Sequence, residues 1–195
     1  MTKLFSEACE RNKYPIFEKI KNIFENSKNV IEIGSGTGQH ATFFAENLPQ
    51  LIWQTSDLIE SHESINSYID ESNLNNIKRP IVLDVSNSDW HNLNFDSAFT
   101  ANTFHIISKK NVENAFKGIS KIIKRHFCIY GPFNYNGEYT SQSNSDFDSF
   151  LRKKYPNQAC IKDIEYILDL ADKYKFKLIN DFEMPSNNRL LVLEK

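Results

Sequence analysis

The chain has 195 residues and a formal net charge of -2, with 23 lysines and arginines against 25 acidic residues. This length fits one domain over residues 1–195, because domains usually contain about 100–200 residues. Hydrophobic residues make up 40% of the chain and charged residues 25%, which is typical of globular proteins and excludes collagen-like and low-complexity classes. The balanced charge provides no overall field to attract nucleic acid or anionic lipid, so we expect neither as a partner.

We also expect no membrane span, because no apolar run approaches the roughly 18 residues that a transmembrane helix requires. The first residues lack the continuous apolar stretch of a secretory signal, since Glu7, Glu10 and Arg11 interrupt it. A cytoplasmic location is therefore predicted. The three cysteines lie far apart with no CxxC pair, so we expect reduced thiols and no metal site.

The predicted elements begin with a helix, where apolar residues recur at helical spacing from Ile16 to Phe24 after Pro15. A short apolar strand, Val30–Ile33, comes next. The glycine-rich turn Gly34–Gly38 then leads into a second helix that begins at residue 39 and ends before a proline at residue 49. The order of strand, glycine turn and helix is typical of a nucleotide-binding unit.

The alternation of strands and helices continues to the end of the chain and predicts an α/β fold, with a parallel sheet covered by helices on both faces. In such a sheet ligands bind beyond the carboxyl ends of the strands, where Gly34, Asp57, Asp84 and Asn102 are expected. The further predicted strands are 51–57, 81–84, 95–100, 127–130, 176–182 and 190–193, and the helices are 60–71, 112–123 behind a Ser108 N-cap, and 164–171.

The glycine turn and the acids that end the strands carry the functional signal. A dinucleotide fingerprint, G-x-G-x-x-G, would require glycine where Gln39 stands, and no lysine follows the last glycine as a phosphate-binding loop would need. Instead, acids occur at Glu32, Asp57 and Asp84, in or after three successive strands. A carboxylate about 20 residues after the glycine turn can accept hydrogen bonds from both ribose hydroxyls, so we predict a nucleoside site.

This pattern, E-x-G-x-G-x-G with acids ending the next two strands, resembles the class I methyltransferases that use S-adenosylmethionine. The resemblance implies a three-layer Rossmann-like fold with a seven-stranded, mostly parallel sheet whose last strand is antiparallel. It also implies the residues that bind the cofactor. These are Glu32, Gly34, Ser35, Gly36 and Gly38 for the methionine part, Asp57 with Leu58 for the ribose, Asp84 and Val85 for the adenine, and Asn102 beneath the sulfonium.

More specific motifs resemble the methyltransferase-like twenty-six family over nearly the whole chain. Two segments depart from that family: residues 124–126 replace a Pro-Gly-Gly turn, and residues 160–163 replace a Gly-x-Arg-Asp element, which leaves open a role for arginine there. The matching motifs are residues 6–13, 48–49 with 53–54, 130–133, 143–144 with 147–148, and 184–188.

Methyl transfer from a sulfonium mainly requires an acceptor held in line with the methyl carbon and the exclusion of water. His105, which follows the fourth strand, is the candidate general base, and the alternative is a histidine that hydrogen-bonds its own loop. Residues 1–28 are expected to cover the cofactor site. Their Arg11 and Asn12 could cover the cofactor, bind an anionic acceptor or cap a helix. The candidate acceptor-binding residues are Arg11, Asn12, Phe133, Asn144, Asn187 and Asn188.

The leading hypothesis is a methyltransferase that uses S-adenosylmethionine and acts on an unidentified, small-molecule acceptor. The alternative is a non-catalytic module that binds the same cofactor as a sensor or partner protein. A nicotinamide-dependent oxidoreductase is disfavoured by Gln39. The acceptor and the oligomeric state do not follow from these patterns, because one fold hosts many acceptors.

Overall fold

The computed structural model of the chain describes residues 3–87, 90 and 92–195. Residues 1 and 2 of the segment expected over 1–28 lie outside the described part. The helices are α1 (Glu7–Ile23), α2 (Gln39–Asn47), α3 (His62–Ser72), α4 (Lys109–Ile122), α5 (Gln142–Lys154) and α6 (Ile164–Lys173). The strands are β1 (Asn29–Ile33), β2 (Ile52–Asp57), β3 (Ile77–Val82), β4 (Ser97–Ala101), β5 (His126–Gly131), β6 (Phe133–Asn134), β7 (Lys162–Asp163), β8 (Lys177–Met184) and β9 (Asn188–Glu194).

Seven strands form one sheet in the order β3-β2-β1-β4-β5-β9-β8. The pairs among β1 to β5 are parallel, whereas β9 runs antiparallel to both β5 and β8. The strand order reverses at β1 and β4, and this is the place where an open α/β sheet forms its ligand crevice. The predicted fold class, a mostly parallel seven-stranded sheet with an antiparallel last strand, is confirmed.

Helices cover both faces of this sheet. Successive side chains of β1 alternate between them: Val30 packs with α1, α2 and α3, and Ile31 packs with α4 and α6. In the core beneath α1, α2 and α3, aromatic rings surround Trp53, whose ring centroid lies 5.4 Å from that of Phe44 and 5.8 Å from that of Phe99. The sheet edge that carries the candidate ligand residues is therefore held between two rigid cores.

Helix α1 begins well before the predicted start. The sequence pattern placed Pro15 in the first helical turn, but the helix begins at Glu7 and contains Pro15 in its interior. Ser6 is the N-cap, and its hydroxyl accepts from the Cys9 N–H at 3.4 Å. Acidic residues in the first turn favour this earlier start because they complement the helix dipole. The extra two turns bring Cys9 and Asn12 to the carboxyl edge of the sheet.

Helix α5 lies outside the two main cores and packs beside the short β6–β7 ladder. Its anchor is the fully buried Asp148, whose carboxylate accepts from the Ile161 N–H at 2.5 Å and from Arg152 Nε at 2.6 Å. The Tyr139 hydroxyl donates to the same carboxylate at 2.8 Å. Because one side chain joins three separate segments, α5 has a fixed position beside the sheet edge. Within the described residues no helix is both long and apolar enough to cross a membrane.

Candidate functional site

A cavity of about 1080 Å³ opens at the carboxyl ends of the parallel strands. Its walls come from the turn after β1, the ends of β2 to β5, helix α1, helix α5 and the connection between β8 and β9. The predicted site residues that line it are Arg11, Asn12, Gly34, Ser35, Gly36, Asp57, Leu58, Asp84, Val85, Asn102, His105, Asn144 and Asn188. The cavity thus brings together most of the residues predicted for the cofactor and the acceptor.

The glycine turn forms one end of this cavity. The main-chain N–H groups of Gly34 and Ser35 both donate to the Ser56 carbonyl, at 3.1 and 3.0 Å, so the turn is fixed to β2. Gly34 has a φ of +75°, and a Cβ there would lie 2.7 Å from the Thr103 Oγ1. Only glycine fits this position without displacing Thr103. The close approach joins the turn to the loop after β4, so both walls of the cavity have a fixed spacing.

Asp57 and Asp84 lie in the cavity wall at the ends of two neighbouring strands. The Asp57 carboxylate accepts from the N–H groups of Gly36 and Leu58, each at 2.7 Å, and Asp84 Oδ1 accepts from the Ser86 N–H at 2.8 Å. A carboxylate has about four lone-pair sites, so each acid keeps acceptor capacity toward the cavity. This arrangement suits a ligand with two adjacent hydroxyls near Asp57 and an amino group near Asp84.

Glu32 does not line the cavity, although the sequence pattern predicted a contact with the cofactor there. Its side chain is only 1% exposed and accepts from Trp53 Nε1 at 3.2 Å, with a further hydrogen bond from the Ser35 side chain. Burial raises the pKa of this carboxyl to about 7. Glu32 therefore supports the glycine turn from behind, through Ser35.

Gly38 also lies outside the cavity wall. Its φ is +97°, and a Cβ there would lie 2.9 Å from the Cα of Ile65 in α3. The reason for glycine at this position is thus the packing of the turn against a helix. The last of the three glycines belongs to the scaffold, and the ligand end of the turn is formed by residues 34–37.

A polar network crosses the cavity between α1 and the sheet. His40 Nε2 and Asn12 Oδ1 are 2.6 Å apart, and the Tyr130 hydroxyl is hydrogen-bonded to the side chains of both Asn12 and Asn188. Burial lowers the pKa of His40 to about 4 and raises that of Tyr130, so both are neutral at pH 7. We infer that this network fixes α1 over the cavity.

His105 lies beyond Asn102, in the loop after β4. Its ring packs edge-on against Phe147 with centroids 5.2 Å apart, and its carbonyl accepts from the Cys160 N–H at 3.0 Å. Burial lowers the pKa of its imidazole to about 4, and the nearby Lys162 ammonium adds to this effect. At neutral pH His105 is an uncharged imidazole that can accept a hydrogen bond or a proton.

Some of the acceptor-binding candidates line the cavity, and others lie behind its wall. Asn144 faces the cavity, and its Nδ2 donates to Thr140 Oγ1 at 2.8 Å and to the Asn187 carbonyl at 3.1 Å. Asn187 itself does not line the cavity but adopts a left-handed conformation in the β8–β9 connection. Phe133 is buried in the core behind it. These two residues shape the wall from behind.

The structure adds cavity residues that sequence reasoning did not single out as ligands. They come from several separate elements, and only tertiary packing brings them together. Four of them had a sequence signal, since Ser6, Cys9, Tyr130 and Phe147 belong to the motifs quoted above. The principal additional residues are Ser6, Cys9, Thr37, His40, Thr103, Tyr130, Phe147 and Gln158. In the part of the chain that is described, no group of three or more His, Cys, Asp or Glu side chains is arranged to hold a metal ion.

Solved structures of methyltransferases share the fold of this chain. An O-methyltransferase family protein from Burkholderia thailandensis aligns with a TM-score of 0.84 and 14% identity, covering 97% of this chain and 57% of that one. The mitomycin 7-O-methyltransferase MmcR aligns with a TM-score of 0.84 and 11% identity, covering 96% of this chain and 54% of that one. The S-adenosylmethionine-dependent methyltransferase SibL aligns with a TM-score of 0.81 and 14% identity, covering 96% of this chain and 55% of that one. At these identities the likeness establishes the class I methyltransferase fold.

The chain belongs to the family described as "Protein of unknown function (DUF938)", which matches residues 3–195. It spans between half and two thirds of the length of the three methyltransferases above. The walls of its cavity are nevertheless formed by its own helices and loops, α1 and α5 among them.

Proposed function

We propose that the protein is an S-adenosylmethionine-dependent methyltransferase that methylates a hydroxyl group of a small molecule. The observation that carries this proposal is the continuous cavity, which joins the glycine turn and the two strand-end carboxylates to His105 and Asn144. Its volume of about 1080 Å³ is at the top of the range of about 300–1,000 Å³ usual for small-molecule sites. Two ligands side by side, a cofactor and an acceptor, suit this space.

The residues present fit the cofactor. Asp57 offers free carboxylate lone pairs for the two ribose hydroxyls, and Asp84 lies at the next strand end for the adenine amino group. The turn of residues 34–37, which has open space beside Gly36, lets a methionine moiety approach the main chain. S-adenosylmethionine, when bound, supplies a methyl group on an activated sulfonium leaving group.

The chain's own residues orient the acceptor and remove its proton. A neutral His105 can accept a hydrogen bond from a hydroxyl and so direct an oxygen lone pair toward the methyl carbon. With a pKa of about 4, His105 is too weak a base to ionise an alcohol in advance. An oxygen that has gained a methyl group is a far stronger acid than imidazolium, so His105 takes the proton late, as the new bond forms.

Two further lines support this proposal. The solved structures similar to this chain include proteins described as O-methyltransferases, one of them named as a mitomycin 7-O-methyltransferase. The motifs that resemble the methyltransferase-like twenty-six family cover nearly all of the chain, and we propose that this chain belongs with that family.

Binding of S-adenosylhomocysteine by calorimetry tests the cofactor site. We expect Asp57→Asn to weaken binding by at least about tenfold, because hydrogen bonds to a charged acceptor contribute about 1.5–3 kcal/mol each. Asp172→Asn is the matched control, since Asp172 is exposed on α6 away from the cavity. Thermal melting of both variants separates a lost contact from a loosened glycine turn. Unchanged affinity in Asp57→Asn would end the cofactor assignment.

A second candidate is a non-catalytic sensor that binds the same cofactor. The observation that favours it is the attachment of α1, whose Ser6 N–H donates to Gln39 Oε1 at 2.6 Å while its inner face lines the cavity. Ligand binding could therefore alter a helix whose outer face carries exposed side chains such as Tyr14. Release of S-adenosylhomocysteine in the presence of a metabolite extract identifies an enzyme, whereas tight binding without turnover identifies the sensor.

A further inference from the structure

The cavity has an uneven distribution of charge. Among the described residues that line it, the carboxylates are Asp57 and Asp84, and both lie at the ends of β2 and β3. The opposite half, around His105, Asn144 and Tyr130, is lined by neutral polar and apolar side chains except for Arg11, which lies near Tyr130. No carboxylate among the described lining residues of that half could pair with a positive charge on an acceptor.

Two cations lie around this same half. Arg11 stands at the rim with its side chain 68% exposed, and its partner Glu7 is 3.6 Å away and still more exposed. Such a surface pair contributes at most about 1 kcal/mol, so the guanidinium can turn to a ligand. Among the described residues that line the cavity, Arg11 is the only lysine or arginine.

The second cation is Lys162, which is only 1% exposed behind the His105 loop. Its Nζ donates to the carbonyls of Ile107 and Cys160, at 2.8 and 3.0 Å, and it approaches the Cys160 sulfur at 3.4 Å. Main-chain carbonyls do not neutralise a charge, and the low dielectric of the interior screens it poorly. The Lys162 charge acts on His105, which lines the acceptor half of the cavity. The Asp148 carboxylate opposes this charge but is itself paired with Arg152 at 2.6 Å.

We propose that the methyl acceptor is a small hydroxy compound that carries a negative charge at the end away from its reacting hydroxyl, bound by Arg11 at the rim. This inference rests on the proposed function. The apolar wall, with Phe147, Ile106 and Pro132, suits a flat ring between the hydroxyl and the charged group. A cationic amine of the same shape is repelled by Arg11 and Lys162, because the buried Asp148 carboxylate near Lys162 is already paired with Arg152.

Three compounds of nearly equal shape test the proposal: 4-hydroxyphenylacetate, 4-hydroxyphenylacetamide and tyramine, whose tails are negative, neutral and positive. Binding of each is measured by calorimetry to the full chain saturated with S-adenosylhomocysteine. We expect the acetate to bind most tightly and tyramine most weakly. Arg11→Gln should weaken binding of the acetate about tenfold and leave that of the amide unchanged, because only the acetate makes a charged pair.

Control variants isolate the position of the charge. Arg11→Lys should retain most of the affinity for the acetate, and Arg125→Gln, which removes the same charge from an exposed residue outside the cavity, should retain all of it. If S-adenosylhomocysteine itself does not bind, the proposed function fails. If it binds and tyramine binds as tightly as the acetate, or none of the three compounds binds at millimolar concentration, the charge assignment is overturned.

Discussion

The buried carboxyl of Glu32 gives the sharpest quantitative prediction. Burial raises its pKa from an ordinary 4.5 to about 7 in the folded chain. Because the folded state binds this proton more tightly than the unfolded state does, the free energy of unfolding falls as the pH rises from about 4.5 to about 7. A shift of this size corresponds to about 3 kcal/mol, since one pKa unit is about 1.4 kcal/mol.

Glu32→Gln removes the titration and keeps an oxygen that can accept from Trp53 Nε1. We expect the variant and the wild type to have similar stability near pH 4.5, and the variant to be more stable by about 3 kcal/mol at pH 8. Urea titrations followed by circular dichroism at several pH values measure the difference. His40 and His105 have lowered pKa values, so they make the free energy of unfolding rise with pH. This contribution is the same in both proteins and cancels when their stabilities are subtracted.

The control for this experiment is Glu18→Gln, which removes an exposed carboxylate from α1. Its stability should stay within about 0.5 kcal/mol of the wild type at every pH, because the variant removes only the exposed Glu18–Lys21 ion pair. A difference between Glu32→Gln and wild type that changes by less than about 1 kcal/mol between pH 4.5 and 8 would refute the buried, protonated carboxyl. The affinity for S-adenosylhomocysteine, measured on the same proteins, should change little, because Glu32 does not line the cavity.

Four other variants test the site. Gly34→Ala, which brings a Cβ to 2.7 Å from Thr103 Oγ1, should weaken cofactor binding in calorimetry more than Gly36→Ala does, since the space beside Gly36 is open. His105→Asn should lower kcat for the acceptor by about 100-fold or more and leave cofactor affinity unchanged, and kcat of the wild type should fall only below about pH 4, as His105 becomes protonated. Asp148→Asn should lower the stability measured in urea by about 1–3 kcal/mol and raise KM for the acceptor, because it loosens α5.

The sheet and its ligand edge could be predicted because short-range patterns encode them. β1, β4 and β5 are short and mostly buried, and their runs of apolar residues revealed them. β3 was predicted over 81–84 but spans Ile77–Val82, because it is largely exposed and contains Lys78 and Arg79, so an apolar run marks only its end. The Ser108 cap was predicted on the same local basis and is confirmed, with its hydroxyl accepting from the Asn111 N–H at 3.2 Å. Local rules worked where an element's neighbours in sequence determine its structure.

The parts that could not be predicted depend on contacts distant in sequence. Nothing near Glu32 shows that its side chain turns toward Trp53, 21 residues away, and leaves the cavity to Ser35. The Asn144 side chain donates to the carbonyl of Asn187, 43 residues away in the sequence. The place of Asn144 in the cavity wall therefore depends on the position of α5. The predicted start of α1 at Pro15 was wrong, because the helix begins after an N-cap at Ser6 and accommodates Pro15 in its interior.

The two halves of the cavity are held in different ways, and this difference bears on how acceptor choice can vary on one fold. The cofactor half is formed by a glycine turn hydrogen-bonded to β2, and a substitution at Gly34 meets Thr103 directly. The acceptor half is formed by the loop after β4 and by α1 and α5, which lie outside the sheet. α5 is anchored mainly through Asp148, whereas the start of α1 is held over the cavity by polar side chains such as Asn12. Side chains on these helices can change without disturbing strand pairing. Acceptor specificity is therefore expected to follow the sequences of α1 and α5, whereas cofactor binding follows the strand ends.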